Sequence, residues 1–315
     1  MAYEQFCLNE APMQPKTDNR GKLTVTEAGN KIKVQGKGFN ITWDATNGSL
    51  VSLNYKNREM LSHAVDDYQA QPVAQAFRAP TDNDKSFGNW LAKDWKNNKL
   101  DTPTISYGHP VWTLKTGLFH ISTTQTNQYK DGKLTVQLHY TLSGDGSLAI
   151  EATFRPEGEL PELPRLGLSF ALTDEVENFT WYGRGPWENY PDRKTSTTIG
   201  LWKSTVTDQY VPYPRPQDTG NKEDVRLLTL TNNKGQGIRI EADGKKFSAS
   251  ALHFTTDDLY QAAHACELTP RKEVILNIDA AVMGLGNSSC GPGVLKKYTF
   301  GKGTHTLRFV IKGNK

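Results

Sequence analysis

Two-residue alternation of apolar and polar side chains recurs along this chain in short runs. Lys31-Ile32-Lys33-Val34-Gln35, Leu134-Thr135-Val136-Gln137-Leu138-His139-Tyr140 and Leu148-Ala149-Ile150-Glu151-Ala152 are examples. Residues 226–230, 238–242, 274–278 and 306–311 add further strand-like runs. A period of two puts alternate side chains on opposite faces of an extended strand, so each run can bury one face and wet the other. The runs end in turn formers such as Lys130-Asp131-Gly132-Lys133 and Asn232-Asn233-Lys234-Gly235. Gly, Asn and Asp tolerate the backbone of tight hairpins. Many short runs joined in this way predict an all-β fold, an antiparallel sandwich or barrel. A helix is expected only over residues 89–97, with a turn at 256–262. Strand and helix do not alternate, so neither a TIM barrel nor a dinucleotide-binding fold is encoded.

The 7 Trp, 12 Tyr and 12 Phe among 315 residues supply ample material for a core, which argues against disorder. The 37 basic and 34 acidic residues are interspersed and leave a net charge of +3, unlike a nucleic-acid-binding tail. No apolar run approaches the ~20 residues of a membrane span. The opening Met-Ala-Tyr-Glu-Gln-Phe-Cys has neither the basic nor the apolar region of a secretory signal, so a cytoplasmic location is expected. Cys7, Cys266 and Cys290 are odd in number and far apart, a poor disulfide framework. No Cys-x-x-Cys or His-Glu-x-x-His spacing suggests zinc, and His253 and His264 read as structural. Residues 12–22 are polar, carry Pro12, Pro15 and Gly21 and lack periodicity. They read as a linker behind a short strand at 3–8. A lone strand cannot bury its own faces, so it pairs with the main body or with another chain. The expected organisation is a strand and linker over 1–22 and one domain over 23–315.

Three loops concentrate the polar chemistry. Arg78-Ala79-Pro80-Thr81-Asp82-Asn83-Asp84 packs carboxylates and an amide beside a proline. Such a loop can bind a cation or sugar hydroxyls, or cap its own backbone while Arg78 pairs with a carboxylate. Gly185-Pro186-Trp187-Glu188-Asn189-Tyr190-Pro191-Asp192-Arg193 is either a sugar-stacking aromatic loop or a rigid corner with Arg193 bridging Asp192 or Glu188. The glycine-rich stretch from Met283 to Gly293 contains Asn287, Ser288, Ser289 and Cys290. Its glycines allow the backbone to approach something closely. A nucleophilic Cys290 would need a histidine base that spacing does not supply. No loop contains a recognisable catalytic pair.

In order and spacing these loops, together with Leu276-Asn277-Ile278-Asp279 and the stretch 210–216 with Gly220, resemble the C-terminal domain of glycoside hydrolase family 2 β-galactosidases. The match runs over residues 23–309. Since the chain opens on Met and closes with this domain, it resembles the small subunit of the split, heterodimeric β-galactosidases of lactic acid bacteria. The resemblance implies a large antiparallel β-sandwich, the galactose mutarotase-like supersandwich. It also implies two catalytic glutamates, about 5 Å apart for retention, in a TIM barrel of ~250 residues that this chain lacks. Both glutamates, with Mg and Na or K ions, are therefore expected on a large partner subunit. This chain would hold no catalytic residue, metal or cofactor and would be nearly inactive alone on β-galactosides such as lactose. Its expected role is to complete one wall of the active site.

Residue by residue, the resemblance puts Cys290 where many members offer a tryptophan platform, in a loop one residue shorter. Losing that indole removes ~1 kcal/mol or more of stacking, which implies weaker aglycone binding and altered transglycosylation. Asn287, Ser288 and Ser289 become hydroxyl contacts. Residues 85–90 match a loop at the active-site mouth, with Ser86 and Phe87 as substrate contacts and Trp90 beside them. Arg78, Asp82, Asn83 and Asp84 support that loop, and the 188–193 corner is structural. Residues 3–10 resemble the last strand of the preceding sandwich and would augment the partner's sheet. A stand-alone carbohydrate-binding module, which binds sugar by itself, and an aldose 1-epimerase, which mutarotates galactose, are the alternatives.

Overall fold

The computed structural model describes residues 5–6, 8–10, 12–17, 21–85 and 91–314. Strands Thr24–Ala28, Lys31–Gly36, Phe39–Asp44, Leu50–Tyr55 and Arg58–Glu59 form a five-stranded antiparallel meander. A ten-stranded sheet begins at the edge strand Thr198–Thr205 and continues through Asn178–Gly185, Leu227–Thr231 and Gly237–Ala242. It runs on through His305–Asn314, Leu148–Gly158, Gly132–Leu142 and Leu118–Gln128, which pairs with both Thr104–Tyr107 and Val111–Lys115. The third sheet has the order Lys222–Val225, Phe247–Leu252, Val274–Val282, Arg165–Leu172, Val73–Gln75. The all-β antiparallel sandwich expected from the alternation is thus what forms.

In Gly132–Leu142 the apolar members Leu134, Val136, Leu138, Tyr140 and Leu142 are all buried while their neighbours are wetter. One continuous core, from Leu23 to Ile311, joins all three sheets. Trp43 against Phe119 (5.2 Å) ties the first sheet to the second, and Phe170 against Phe309 (6.4 Å) ties the third to the second.

The third sheet is buried on both faces. Ala249, Ala251, Leu276, Ile278, Leu168 and Phe170 join the common core. Ser248, Ser250, Asn277, Asp279 and Ser169 alternate with them yet are also buried. A buried polar face must find internal partners. Asn277 Nδ2 donates to Ser250 Oγ (3.1 Å), and Tyr68 and Ser169 share a hydroxyl bond of 2.7 Å. Tyr68, from a short turn, covers part of this face, and the Tyr190 loop lies over its Asp279 end.

The helices are short. Leu91–Asn97 falls within the expected stretch, whose Asn89 and Trp90 lie outside the described residues. The turn expected at 256–262 is the helix Thr256–Gln261, closed by a capping box between Thr255 and Asp258. A third helix, Asp82–Lys85, starts inside the first polar loop. Among the described residues no helix is long and apolar enough to cross a membrane.

Within this chain the described part of the N-terminal stretch forms no ladder. Gln5, Phe6 and residues 8–10 lie in no strand, and Tyr3, Glu4 and Cys7 are outside the described residues. Contacts tie the described residues of the stretch, as a strap, to the edge strand, to loops beside the ten-stranded sheet and to Lys312. The Gln5 amide donates to the Ile199 carbonyl (2.9 Å) and accepts from its N–H (2.7 Å), imitating a ladder rung at the edge. Glu10 pairs with Arg226 (2.9 Å) and Lys246 (2.8 Å). The Met13 and Lys16 carbonyls accept from Gly244 N and Lys312 Nζ.

Candidate functional site

The three polar loops converge. Arg78 and Asp84, both wholly buried, form a two-pronged pair: Nε donates to Oδ2 (3.1 Å) and Nη2 to Oδ1 (2.8 Å). Such planar matching makes the strong form of the interaction. Asp84 also accepts from Thr81 N (2.8 Å) and Oγ1 (2.9 Å), which closes the loop on itself. The remaining guanidinium donors reach the glycine-rich loop: Nη1 to the Met283 carbonyl (2.8 Å) and Nη2 to that of Gly284 (3.2 Å). The face of Trp95 lies 5.6 Å from the guanidinium carbon.

Gly286 is the point of closest restraint. Its φ of +66° is one that side-chain-bearing residues rarely adopt. Asp192 accepts from Leu285 N (3.0 Å) and Gly286 N (2.7 Å). The Gly286 carbonyl accepts from Asn83 Nδ2 (2.8 Å) and Arg193 Nη2 (2.5 Å). Asn83 Oδ1 in turn accepts from Ser289 N (3.0 Å), and Arg193 also donates to Asn287 Oδ1 (3.3 Å). A Cβ on Gly284 would meet the Asp192 carboxyl at 2.8 Å, so the glycine allows this approach. Asp82 turns away, and its backbone N–H donates to Gln217 Oε1 at 2.9 Å.

The loop therefore presents a fixed tip. Asn287, Ser289 and Cys290 are exposed, while Ser288 is buried. Amide, hydroxyl and thiol groups held on a rigid backbone can meet the hydroxyls of a polar ligand without first being ordered. Among the described residues no side chain hydrogen-bonds the Cys290 thiol, so no nucleophile–base pair is formed there. Ser86, Phe87 and Trp90 lie outside the described residues.

The structure gives the side-chain pairings of two of these loops. Arg78 does take the neighbouring carboxylate, but Asn83 reaches across to the glycine-rich loop instead of capping its own turn. Arg193 bridges neither Asp192 nor Glu188; like Asp192, it faces the glycine-rich loop. Glu188 anchors the corner, accepting from Tyr213 OH, from Thr219 Oγ1 (2.8 Å) and from Gly220 N (2.8 Å).

Beneath the loops lies a charged network that spacing does not reveal. Arg165, wholly buried, pairs with Asp279 (2.8 Å) and Asp218 (3.7 Å), and Asp218 accepts from Tyr190 OH (2.9 Å). Burial pushes the Asp279 carboxyl up to about 6, against the pull of Arg165. Burial likewise raises Asp218, against Arg165 and Arg78. Lys222 is pushed down to about 8 by burial, with its ammonium 5.2 Å from the Trp181 ring. Arg165 and Lys222 carried no motif in the sequence; for Arg165 the signal would have been a charge at the head of a largely apolar strand, whereas Lys222 opens the charged strand Lys-Glu-Asp-Val. Among the described residues no group of three or more His, Cys, Asp or Glu is placed to hold a metal ion.

Comparison with known proteins extends this description. The family model described as Beta galactosidase small chain matches residues 35–311. A β-galactosidase of Halalkalibacterium halodurans is 30% identical over 100% of this chain and 30% of its own length. For a β-galactosidase of Priestia megaterium the identity is 31% over 91% of this chain and 27% of that protein. For one from Lactobacillus delbrueckii subsp. bulgaricus it is 30% over 95% and 28%. The chain thus spans less than a third of these relatives. Among solved structures, a galactose mutarotase-like protein from Clostridium acetobutylicum aligns with a TM-score of 0.49 and 11% identity, covering 93% of this chain and 98% of that one.

Proposed function

Because the chain belongs to the β-galactosidase small-chain family, we propose that it acts as the small, non-catalytic part of a β-galactosidase. On this reading it completes one wall of a β-galactoside site whose two glutamates, and whose Mg and Na or K ions, lie on a large partner chain in the cytoplasm. The observation that carries the proposal is the convergence of Arg78, Asn83, Asp192 and Arg193 on the backbone of residues 283–289. That much restraint on an exposed tip suits a surface that must be correct before a ligand arrives. Arg78, Asp82, Asn83 and Asp84 are support residues. Asn287, Ser289 and Cys290, with Ser86 and Phe87, are the substrate-facing set. Cys290 supplies no aromatic platform, so the aglycone is gripped less firmly than by an indole.

The test is complementation. A chromogenic β-galactoside is assayed with this chain alone, with a large β-galactosidase chain alone, and with both. Activity only in the mixture is expected. Activity from this chain alone would overturn the reading. A folded chain that fails to complement overturns it too; galactose mutarotation would then favour an epimerase, and sugar affinity of the isolated chain a binding module.

A further inference from the structure

We propose that one corner of the ten-stranded sheet, extended by the strap and the Trp187 turn, is the surface on which the large chain docks; this rests on the subunit reading above. The middle of the solvent face of this sheet carries paired charges. Arg308 meets Glu151 (2.7 Å), and Glu241 meets both Arg239 (2.7 Å) and Lys312 (2.9 Å). At the edge the composition changes. Tyr182 and Leu201 sit directly opposite one another on Asn178–Gly185 and Thr198–Thr205, 41% and 62% exposed. Phe6 and Leu8 on the strap are 76% and 92% exposed, and Trp187, just past the first strand, 70%. Apolar side chains gathered at one exposed place mark an interaction surface.

Two further observations select the occupant. The Halalkalibacterium relative matches this chain end to end, yet the match is 30% of its length. Its remaining chain must leave from one or both ends of this domain. The N-terminal end lies at this corner, where Gln5 is bonded to Ile199; Asn314, opposite Gly237, is three strands away at the other end of the sheet's strands. The corner is also continuous with the glycine-rich loop. Trp187 begins the turn that ends in Asp192 and Arg193, which hold residues 285–287. A partner seated on the corner therefore reaches the Ser289–Cys290 tip along one side of the molecule.

The experiment measures the Kd between this chain and a purified large β-galactosidase chain by sedimentation velocity. Leu201→Glu and the double variant Phe6→Ser/Leu8→Ser are compared with Val111→Glu, which alters an equally exposed apolar residue (69%) on a different strand of the sheet. All three sites are exposed, and unchanged melting temperatures check that folding is intact. Leu201→Glu and the double variant should weaken binding about tenfold or more, with Val111→Glu neutral. Corner variants that bind like wild type overturn the surface alone, as does equal weakening by Val111→Glu. Corner variants that abolish self-association and leave the large-chain Kd unchanged assign the surface to a second copy and also overturn it. A wild-type chain that fails to bind any large chain overturns the subunit reading itself.

Discussion

Arg78–Asp84 and Arg308–Glu151 are both arginine–carboxylate pairs at hydrogen-bonding distance, and their surroundings could hardly differ more. The first is wholly enclosed and tied to three backbone groups of two loops; the second stands half-exposed on the sheet face. Inside, each charge has lost its water and depends on its partner. Outside, water and salt compete for both ions. Proximity in space says little about what a pair is worth; the solvent around it decides.

The sharpest way to break this contrast is Arg78→Met. It strands the Asp84 carboxylate and frees the Met283 and Gly284 carbonyls, and should cost ~3–5 kcal/mol in urea unfolding. A loss below ~1 kcal/mol would contradict the enclosed-pair account. Gly167→Ala comes next. Its Cβ would lie 1.9 Å from Asp279 Oδ1 and 2.7 Å from the Ile278 carbonyl, so the Arg165–Asp279 pair must shift, at ~1–3 kcal/mol in the same measurement.

The pH response sharpens the comparison by its sign. Asp279 titrates near 6 in the folded protein, above the ordinary 3.8, so the folded state holds that proton more tightly than the unfolded chain. Its contribution to stability therefore rises as pH falls through about 6 toward 4. Asp258, drawn below its ordinary value by Arg271 and the Thr255 cap in spite of partial burial, acts in the opposite sense. Its stabilisation is present above 3.8 and is lost as pH falls toward its lower folded value. Measured by urea midpoint, wild type should gain on Asp279→Asn between about pH 7 and 5; a constant gap would refute the assignment. The smallest effect is expected for Arg308→Ala, under ~1 kcal/mol. A thermal melt that moves as far as for Arg78→Met would erase the distinction.

The strands were legible because alternation reports a half-buried face, as in Gly132–Leu142. Val274–Val282 shows where that logic stops. Leu276-Asn277-Ile278-Asp279 alternates as a wetted strand would, yet Asn277 and Asp279 are buried. What covers them comes from loops distant in sequence, and periodicity does not carry that information. The candidate site was legible as three loops and not as a single structure. Arg78 with Asp84 is a local pairing, six residues apart, and spacing suggested it. Asn83 with Gly286 and Asp192 with Leu285 span 203 and 93 residues; they depend on which strands the fold makes neighbours. The contacts of the N-terminal stretch were not legible either: side-chain bonds such as those of Gln5 to Ile199 depend on which strand the fold leaves at the edge.

The restraint on Gly286 has a consequence for exchange with solvent. The amide hydrogens of Leu285, Gly286 and Ser289 are held by the side chains of Asp192 and Asn83, outside any strand ladder. Their deuterium uptake is thus governed by rotation of two side chains and not by opening of a sheet. These three amides form a built-in reporter: any contact that stills Asp192 or Asn83 slows their labelling while the strands on either side keep their rates.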